Sequence, residues 1–435
     1  MVTNSQAPIK VGMLGMGTVG RGVYKILTGN ADLITARAGR PVQIEKIVVR
    51  DTTKSRGVTV PDGVLTADAA AVLENPDIDI VVELMGGNEP AKEYILKALK
   101  AGKQVVTANK DLIAGYGKEL FDAEKEHDTD LMFEASVAGG IPIIRPLKMC
   151  LAGNKVTDVM GIINGTTNYI LTKMTRFGSD FNDVLKEAQA LGYAESDPTA
   201  DVEGHDAARK IAILASIAFN TRVTSRDVYV EGITRIDATD IKYATELGYI
   251  VKLLGIAKER DGEVEVRVHP VFIPGSHPLA AVSDANNAIF VAGDAVGETM
   301  FYGPGAGEMP TASAVVGDIM EVARNITGGV NGRISCTCFE EKPIKPIGLV
   351  ESKYYLRLMV KDRPGVLASI ASVLGNHNVS IDTVLQKRSD GDIAEVVLII
   401  HRVEEQNLRD ALTIMEGMSI TKRVANVIRV EGEDA

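Results

Sequence analysis

The sequence predicts an α/β protein whose N-terminal part folds around a parallel sheet, and three observations support this class. Apolar strands alternate with helical stretches over residues 9 to 150, which is the pattern of βαβ units. A glycine-rich loop separates the first strand from the first helix. After residue 143, strands that alternate apolar and polar residues indicate an α+β domain with an open sheet. A chain of 435 residues is too long for one core, so we expect two or three domains.

The first domain is predicted over residues 1–142, with a helix at residues 305–328 that returns to pack on it. The strand IKVGML begins at Ile9, QIEKIVV forms a second strand, and IDIVVELM near Ile80 forms another. The next helix presents one apolar face, formed by Ala91, Tyr94, Ile95, Ala98 and Leu99. The strand KQVVTA follows, so the order of elements favours a parallel sheet.

The loop after the first strand has the pattern GxGxxG, which is weak evidence alone but stands here between a strand and a helix. Gly15 permits a tight turn, Gly17 lets the backbone approach a pyrophosphate, and Gly20 lets helix and strand pack closely. The helix N-terminus offers N–H groups to phosphates. The alternative is a glycine turn without a ligand. We predict a Rossmann-type nicotinamide dinucleotide site consisting of Gly15, Met16, Gly17, Thr18, Val19 and Gly20.

The end of the second strand bears on which nicotinamide cofactor is bound. NAD enzymes usually place an acidic residue there to bind the ribose hydroxyls, and Asp51 is the residue of that kind. Arg50 could instead pair with a 2′-phosphate, with Lys54 and Arg56 as helpers. We therefore expect NADP, and NAD stays possible.

The second domain is predicted over residues 143–304, and it starts with a helical piece near Pro146 to Leu151. A strand around Val156 to Ile163 leads into a helix that Asn164 or Thr166 could cap. Two later segments alternate in polarity and are predicted to be half-buried antiparallel strands; they span Glu263 to Pro274 and Ala288 to Val296.

The C-terminal part is predicted to be a separate small domain. Residues 329–350 are rich in glycine and proline and indicate a linker. Residues 351–435 then form a compact βαββαβ-like unit that begins with the strand YYLRLMV and the turn DRPG.

Composition excludes several classes of function. A net charge of −11 argues against nucleic acid as a partner, because phosphate binding needs an excess of Lys and Arg. No apolar run is long enough to span a membrane, and the N-terminus lacks a signal-peptide pattern. Three cysteines cannot form a disulfide framework in this chain, so we expect a cytoplasmic protein. Cys150 is expected to be buried and not nucleophilic, and Cys336 and Cys338 lack partners for a metal site.

Five segments carry a family resemblance. They are TANK at 107–110, EASVAGGIP at 134–142, GYAESDPTADVEGHDAARK at 192–210, and the glycine segments GTVGRG and YGPGAG. Together they resemble homoserine dehydrogenase, in order, over residues 9 to about 325. That family reversibly reduces aspartate semialdehyde to homoserine with a nicotinamide cofactor, at a branch point toward threonine, methionine and isoleucine. The resemblance implies the same reaction here.

Asp206 and Lys210 lie four apart on a predicted helix and so share one face. Reduction of an aldehyde needs a proton for the nascent alkoxide, which a lysine in a partly dehydrated cleft can supply. The resemblance implies that Lys210 is the general acid/base and that Asp206 orients the substrate hydroxyl or a water. From spacing alone, an exposed ion pair is the simpler interpretation.

The resemblance also implies binding residues. Glu195, which follows Gly192 in a loop, matches the glutamate that binds the substrate ammonium, and Asp201 is a weaker candidate for the same pocket. Lys110, just past the strand KQVVTA, resembles the second active-site lysine, near substrate and nicotinamide; the alternative is a surface lysine. Two further residues are predicted to meet the cofactor, Thr107 by a hydrogen bond and Gly307 by close backbone approach.

A glycine turn resembles the family's site for a monovalent cation. Its matching residues are Glu134, Val137, Gly139 and Ile141. One carboxylate and turn carbonyls would supply the hard oxygen ligands that such an ion prefers. We expect a structural cation, sodium, and the alternative is a plain turn.

Residues 354 to 430 resemble an ACT domain, a regulatory fold that binds amino acids. The motif runs from Lys361 to Leu367 and is followed by Asn376, His377, Asn378 and Val379. Gly365 leaves room for backbone N–H groups to meet a ligand carboxylate. Threonine is the expected effector, and a dimerisation module without a ligand is the alternative.

Two rival functions stay open from the sequence. One is another NAD(P)-dependent dehydrogenase of a small amino or hydroxy acid, and the other is a binding protein that only senses nucleotide. The set Lys110, Glu195, Asp206 and Lys210 disfavours a sensor, which needs no proton donor. We expect a homodimer or homotetramer.

Overall fold

The computed structural model describes residues 7–333 and 335–432, without the side chains of residues 387–390. Within this part of the chain, no helix is both long and apolar enough to cross a bilayer. The chain forms two compact units. The first contains Met1–Val159, Arg209–Asp227 and Asn287–Glu341, and the second contains Met160–Ala208, Val228–Asn286 and Lys342–Ala435. These units cut across the boundaries predicted from the sequence.

A six-stranded parallel sheet forms the centre of the first unit, as predicted. Its strands β1 to β6 are Ile9–Leu14, Val42–Val48, Leu65–Thr66, Ile80–Glu83, Gln104–Thr107 and Leu131–Met132. They are arranged in the order β3-β2-β1-β4-β5-β6. The intervening helices are Thr18–Gly29, Ala31–Ala38, Ala70–Leu73, Ala91–Lys100 and Lys110–Glu126. The residues of β4 and β5 are all buried, as is usual for inner strands of a parallel sheet.

The helix Glu308–Gly328 packs against the helix Thr18–Gly29 within the first unit. The approach is close at Gly22, where an added Cβ would lie 2.5 Å from the carbonyl oxygen of Glu308. Arg21 and Lys25 both donate hydrogen bonds to the Glu308 carboxylate, at 2.9 and 2.6 Å. These two ion pairs hold the first turn of the helix Glu308–Gly328 against the helix Thr18–Gly29.

The rest of the first unit surrounds this core. It includes the π-helix Pro146–Cys150 and the neighbouring strands Asn286–Gly293 and Gly297–Pro304. The prediction of a half-buried strand near Ala288 was wrong, because residues 287–291 are all buried. The expected burial of Cys150 was also wrong: it ends the π-helix, and its thiol is exposed.

The second unit contains a long antiparallel pair, Tyr249–Arg260 and Glu263–Pro274, joined by a tight turn. Its other elements are the helices Gly165–Phe177, Phe181–Ala190, Thr199–Val202 and Ala238–Glu246, and the short strand Tyr229–Val230. The prediction that Glu263–Pro274 is half-buried was wrong, since residues 264–273 are all buried. Buried charged side chains of this strand are paired with opposite charges. Arg267, for example, donates a hydrogen bond to the Glu265 carboxylate at 2.7 Å.

The C-terminal residues have the predicted βαββαβ order. The elements are Glu351–Lys361, Val366–Asn376, Ile381–Asp390, Ile393–Glu404, Glu405–Gly417 and Thr421–Val430. The last strand pairs with the first and also, in parallel, with the strand Glu263–Pro274. The C-terminal strands are therefore continuous with the strand Glu263–Pro274 of the same unit. The described residues of the preceding segment 329–350 are mostly irregular.

Candidate active site

The three glycines of the loop have backbone geometry that suits the roles expected of them. Gly15 has a φ of +106°, and an added Cβ there would lie 2.8 Å from the carbonyl oxygen of Leu84. An added Cβ on Gly20 would lie 2.6 Å from the carbonyl oxygen of Gly15. Gly17 has no atom within 4 Å of that position and caps its helix without a side-chain bond. The loop thus leaves open space at a helix N-terminus, as bound phosphates require.

The other loop residues differ in what they can contribute. Met16 is buried in the apolar core of the first unit, so only its backbone could meet a cofactor. Thr18 is exposed and Val19 is half-buried. Sequence spacing could not distinguish these orientations, because the turn geometry determines them.

At the end of β2, the acidic and basic candidates are placed differently. The Asp51 carboxylate accepts hydrogen bonds from the backbone N–H and the hydroxyl of Thr53, at 2.8 and 2.7 Å, and these bonds lower its pKa. Arg56 donates to the carbonyl oxygens of Lys54 and Asp51 and so closes the turn. Arg50 and Lys54 are exposed. The Asp51 carboxylate is therefore hydrogen-bonded within its own loop. The cationic residues Arg50 and Lys54 lie close to it in the sequence.

The carboxyl ends of β4 and β5 form a buried network that the sequence did not predict. The fully buried Glu83 accepts a hydrogen bond from the Thr107 hydroxyl at 2.7 Å. That hydroxyl also accepts from the backbone N–H of Asn109 at 3.0 Å. The completely buried Thr107 hydroxyl therefore holds the turn, and the hydrogen bond from Thr107 to a cofactor stays a prediction. Asn109 caps the helix that begins at Lys110, and Lys110 is half-buried.

The helix His205–Ala218 carries both Asp206 and Lys210, as predicted. Arg209 ion-pairs with Asp111 at 2.7 Å. Each partner is the chain neighbour of a predicted active-site lysine, so this pair ties the backbone at Lys210 to that at Lys110. Lys210 is half-buried.

In the second unit, Asn164 joins two of the predicted carboxylates. Its side-chain amide donates to Asp201 at 2.7 Å and to Asp206 at 2.9 Å. Its side-chain oxygen accepts from the backbone N–H of Thr167 at 2.9 Å and caps the helix Gly165–Phe177. The sequence indicated only the cap. Asp206 is 7% exposed, so the amide fixes a nearly buried carboxylate.

The loop from Gly192 to Glu195 lies at the surface of the second unit. Gly192 has a φ of +77°, which favours glycine at this turn. The carbonyl oxygen of Tyr193 accepts from the Thr166 hydroxyl at 2.6 Å. The Glu195 side chain is exposed, and its carbonyl oxygen accepts from Gln189 at 3.0 Å.

The predicted cation loop is tightly built, but its carboxylate is engaged elsewhere. Glu134 accepts hydrogen bonds from three consecutive backbone N–H groups, those of residues 143, 144 and 145, at 2.6 to 2.8 Å. The prediction of a side-chain ligand at Glu134 therefore does not fit this geometry. Val137 and Ile141 are buried, and an added Cβ on Gly139 would lie 2.4 Å from the Gly305 carbonyl oxygen.

Within the described residues, no group of three or more His, Cys, Asp and Glu side chains could hold a metal ion. Gly307 has a φ of +123° and precedes the helix Glu308–Gly328, so the backbone there adopts a conformation that only glycine adopts readily.

Comparison with known proteins finds similar sequences along almost the whole chain. Family models described as homoserine dehydrogenase, its NAD binding domain and the ACT domain match residues 142–320, 15–134 and 354–417. A homoserine dehydrogenase of Bacillus subtilis is 47% identical over 426 residues, with 98% of each chain covered.

Solved structures give the same result. A homoserine dehydrogenase from Thiobacillus denitrificans superposes with a TM-score of 0.93 at 45% identity, covering 98% of each chain. A hyperthermophilic archaeal homoserine dehydrogenase in complex with NADPH gives a TM-score of 0.62 at 28% identity, covering 73% of this chain and 98% of that one.

Proposed function

The chain belongs to the homoserine dehydrogenase family, and from that premise we propose that it reversibly reduces L-aspartate 4-semialdehyde to L-homoserine with NADPH. It is an oxidoreductase with a nicotinamide-binding domain. The observation that best supports the specific reaction is the helix that carries the nearly buried Asp206 one turn before Lys210. The product would serve the synthesis of threonine, methionine and isoleucine.

In the proposed reaction, a bound nicotinamide supplies a hydride to the aldehyde carbon. Lys210 in its ammonium form gives a proton to the carbonyl oxygen as the alkoxide develops, and it takes the proton back in the reverse direction. Asp206, held by Asn164, accepts a hydrogen bond from the substrate hydroxyl or from a water and so orients it. Lys110, at the end of β5, lies where open α/β sheets bind ligands and would contact substrate and cofactor.

The test is the variant Lys210→Ala, with Lys118→Ala as the matched control. Lys118 is an exposed helical lysine that pairs with Asp122 in the same unit. Loss of general acid–base catalysis should lower kcat about a hundredfold or more, while the control keeps wild-type kcat. The readout is absorbance of the reduced cofactor with homoserine as substrate. Unchanged kcat in Lys210→Ala would remove this lysine from its role.

The substrate's amino-acid end would bind the carboxylates of the second unit. We propose that Glu195, in the loop after Gly192, binds the ammonium group, with Asp201 beside Asp206. The exposure of Glu195 suits a residue that meets an incoming ligand. Glu195→Gln should raise KM for homoserine with little change in kcat. A fall in kcat with an unchanged KM would contradict a binding role for Glu195.

Malate, lactate and homoserine as alternative substrates test the rival dehydrogenase hypothesis. The proposed carboxylates favour a cationic amino group, which malate and lactate lack. Turnover of those acids without turnover of homoserine would contradict the proposed substrate.

For the cofactor, the proposal is a preference for NADP. Asp51 is occupied by Thr53, whereas Arg50 and Lys54 are exposed beside the ribose end of the predicted site. A 2′-phosphate would meet two cations there, while the Asp51 carboxylate already accepts hydrogen bonds from Thr53. Arg50→Ala should lower kcat/KM with NADPH about tenfold or more, as loss of a charge-assisted hydrogen bond does. The same variant's kcat/KM with NADH is the internal control, and an equal fall with both cofactors would oppose the assignment.

A structural monovalent cation remains proposed at the turn that contains Val137, Gly139 and Ile141. Because the Glu134 side chain binds backbone N–H groups, only carbonyl oxygens of this turn, including that of residue 134, would be the ligands. Thermal stability in sodium chloride should exceed that in tetramethylammonium chloride at equal ionic strength. Equal stability in both salts would argue for a plain turn.

Regulation by threonine is proposed for the C-terminal domain. Gly365 has a φ of +88° and caps the helix Val366–Asn376 without a side-chain bond, which leaves backbone N–H groups for a carboxylate. Asp362 and Gln386 line the same depression. Threonine should inhibit the wild type and should inhibit Asp362→Ala more weakly at unchanged basal kcat. Absence of inhibition in the wild type would favour the dimerisation module.

A homodimer is proposed, with a homotetramer as the alternative. The strand Gly297–Pro304 ends its sheet, and Met300 and Tyr302 lie 42% and 56% exposed on it. An apolar edge of this kind is usually covered by another chain. Light scattering after size exclusion should give a dimer or larger, and Tyr302→Lys should shift it toward monomer.

A further inference from the structure

The first unit contains a pair of thiols in a cationic, partly enclosed pocket that the proposed reaction does not use. The pair is Cys336 and Cys338, both half-buried. The Arg222 guanidinium donates to the Cys336 sulfur at 3.4 Å. Lys148 also lines the pocket, together with apolar side chains such as Phe121 and Ile213.

Both thiols line this one pocket, and the two residues are two positions apart in the sequence. Residues two apart in an extended chain are separated by at most about 7 Å, and disulfides span Cα separations of about 4.4–6.8 Å. The Cys338 thiol also donates to the carbonyl oxygen of Ser216 at 3.8 Å. Ser216 belongs to the last turn of the helix that begins at His205.

We propose that Cys336 and Cys338 form a reversible peroxide-sensitive thiol–disulfide site, with Cys336 as the attacking thiolate and Cys338 as the resolving thiol. The Cys336 sulfur attacks one oxygen of hydrogen peroxide, the O–O bond breaks, and the leaving hydroxide takes a proton to become water. Cys336 is then a sulfenic acid. The Cys338 sulfur attacks it, the S–S bond forms, and the sulfenic oxygen leaves as water with the Cys338 proton. Peroxide is reduced and both thiols are oxidised.

The electrostatic environment supports this division of roles. The neighbouring Cys338 thiol, with help from Arg222 and Lys148, lowers the pKa of Cys336 to about 5. The neighbouring Cys336 sulfur and burial raise the pKa of Cys338. Glu124 interacts electrostatically with Lys148 and Cys336, but burial raises its pKa to about 7, so below that pH it adds little opposing charge. A thiolate is therefore available at Cys336 under mildly acidic conditions.

The exposed Cys150 provides a matched control within the same chain. The thiolate fraction favours Cys336 over an ordinary thiol by a few hundredfold at about pH 6, and the lower intrinsic nucleophilicity of an acidic thiolate reverses much of this gain. The net expectation is that Cys336 is alkylated roughly tenfold faster than Cys150. Equal rates, or a faster Cys150, would overturn the assignment of the attacking thiolate.

The disulfide itself is tested on the full-length protein. After brief treatment with hydrogen peroxide and alkylation of the remaining thiols, mass spectrometry should find Cys336 and Cys338 linked within one peptide, and dithiothreitol should restore both. Cys338→Ser should instead give a sulfenic acid at Cys336 that dimedone traps, and Cys336→Ser should give neither product. Absence of the linked peptide, or dimedone labelling of Cys338 in Cys336→Ser, would refute the proposal.

Discussion

Asn164 offers the most specific test of how the second unit holds its carboxylates. Its amide donates to Asp201 and Asp206, and its oxygen caps the helix Gly165–Phe177. The N-cap contributes about 1 kcal/mol, and each hydrogen bond to a charged group contributes about 1.5–3 kcal/mol when intact. Because Asp201 is partly exposed, we expect Asn164→Ala to lower the free energy of unfolding by roughly 2–4 kcal/mol.

Two further variants separate the cap from the bridge. Asn164→Ser keeps an oxygen for the cap and loses both amide donors, so it should be about 1 kcal/mol more stable than Asn164→Ala. Asn164→Asp keeps the cap but places a third carboxylate beside two others, so Asp206 is repelled from its position. We expect kcat/KM for homoserine to fall at least tenfold in both, since a carboxylate that orients substrate must be held in place.

The assays are urea unfolding and steady-state kinetics across pH. In Asn164→Asp, protonation of the new carboxyl restores a hydrogen-bond donor. The loss of kcat/KM relative to the wild type should therefore become smaller as the pH falls. Wild-type kcat/KM in Asn164→Asp at neutral pH would refute the reasoning, because the bridge would then have no part in placing Asp206. A deficit that does not change with pH would refute the electrostatic explanation.

Other predictions follow from the first unit. Gly20→Ala should destabilise the fold, because its Cβ would lie 2.6 Å from the Gly15 carbonyl oxygen. Gly17→Ala should lower stability in urea less than Gly20→Ala does, because its Cβ meets open space, and should raise the Kd for NADPH. Burial raises the pKa of Asp318 to about 7, above the unfolded value of about 3.9. Its stabilising contribution is therefore complete below about pH 4 and is lost as the pH rises through 7. Asp318→Asn should flatten this slope of stability against pH, and an unaltered slope would assign it to other groups.

The sequence predicted those features of the site that depend on nearby residues. The turn at Gly15 and the close packing at Gly20 depend on backbone within a few residues, so the motif was sufficient. The role of Thr107 was not predictable, because its partner Glu83 lies on the neighbouring strand. An alternating sequence indicated the strand Glu263–Pro274 correctly, but it could not show that this strand pairs with Thr421–Val430 from the end of the chain.

Glu134 shows a different limit. The family resemblance predicted that the Glu134 carboxylate would bind a cation. In the structure, this carboxylate instead accepts three backbone N–H bonds. The three donors lie about ten residues further along, in a segment whose turn could not be inferred from residue type. A family motif therefore predicted that this loop is tightly constrained, and the structure shows that the Glu134 carboxylate supplies part of the constraint.

The pairing of the C-terminal strands with the strand Glu263–Pro274 determines how regulation can be tested. Asp240 is fully buried and accepts from Arg357 at 2.8 Å, from Tyr355 at 3.1 Å and from Asn426 at 2.7 Å. Removal of the C-terminal domain after residue 348 would delete all three donors and would also expose the strand Glu263–Pro274. We expect such a shortened chain to lose stability and activity whether or not the domain binds threonine.

Point variants avoid this ambiguity. Arg357→Met leaves the Asp240 carboxylate buried beside an apolar side chain, so it should cost about 3–5 kcal/mol of stability. Arg357→Met combined with Asp240→Asn removes the unpaired charge and should recover part of that cost, which urea unfolding of both proteins would measure. If Arg357→Met were as stable as the wild type, the buried pair would not couple the C-terminal strands to the helix Ala238–Glu246.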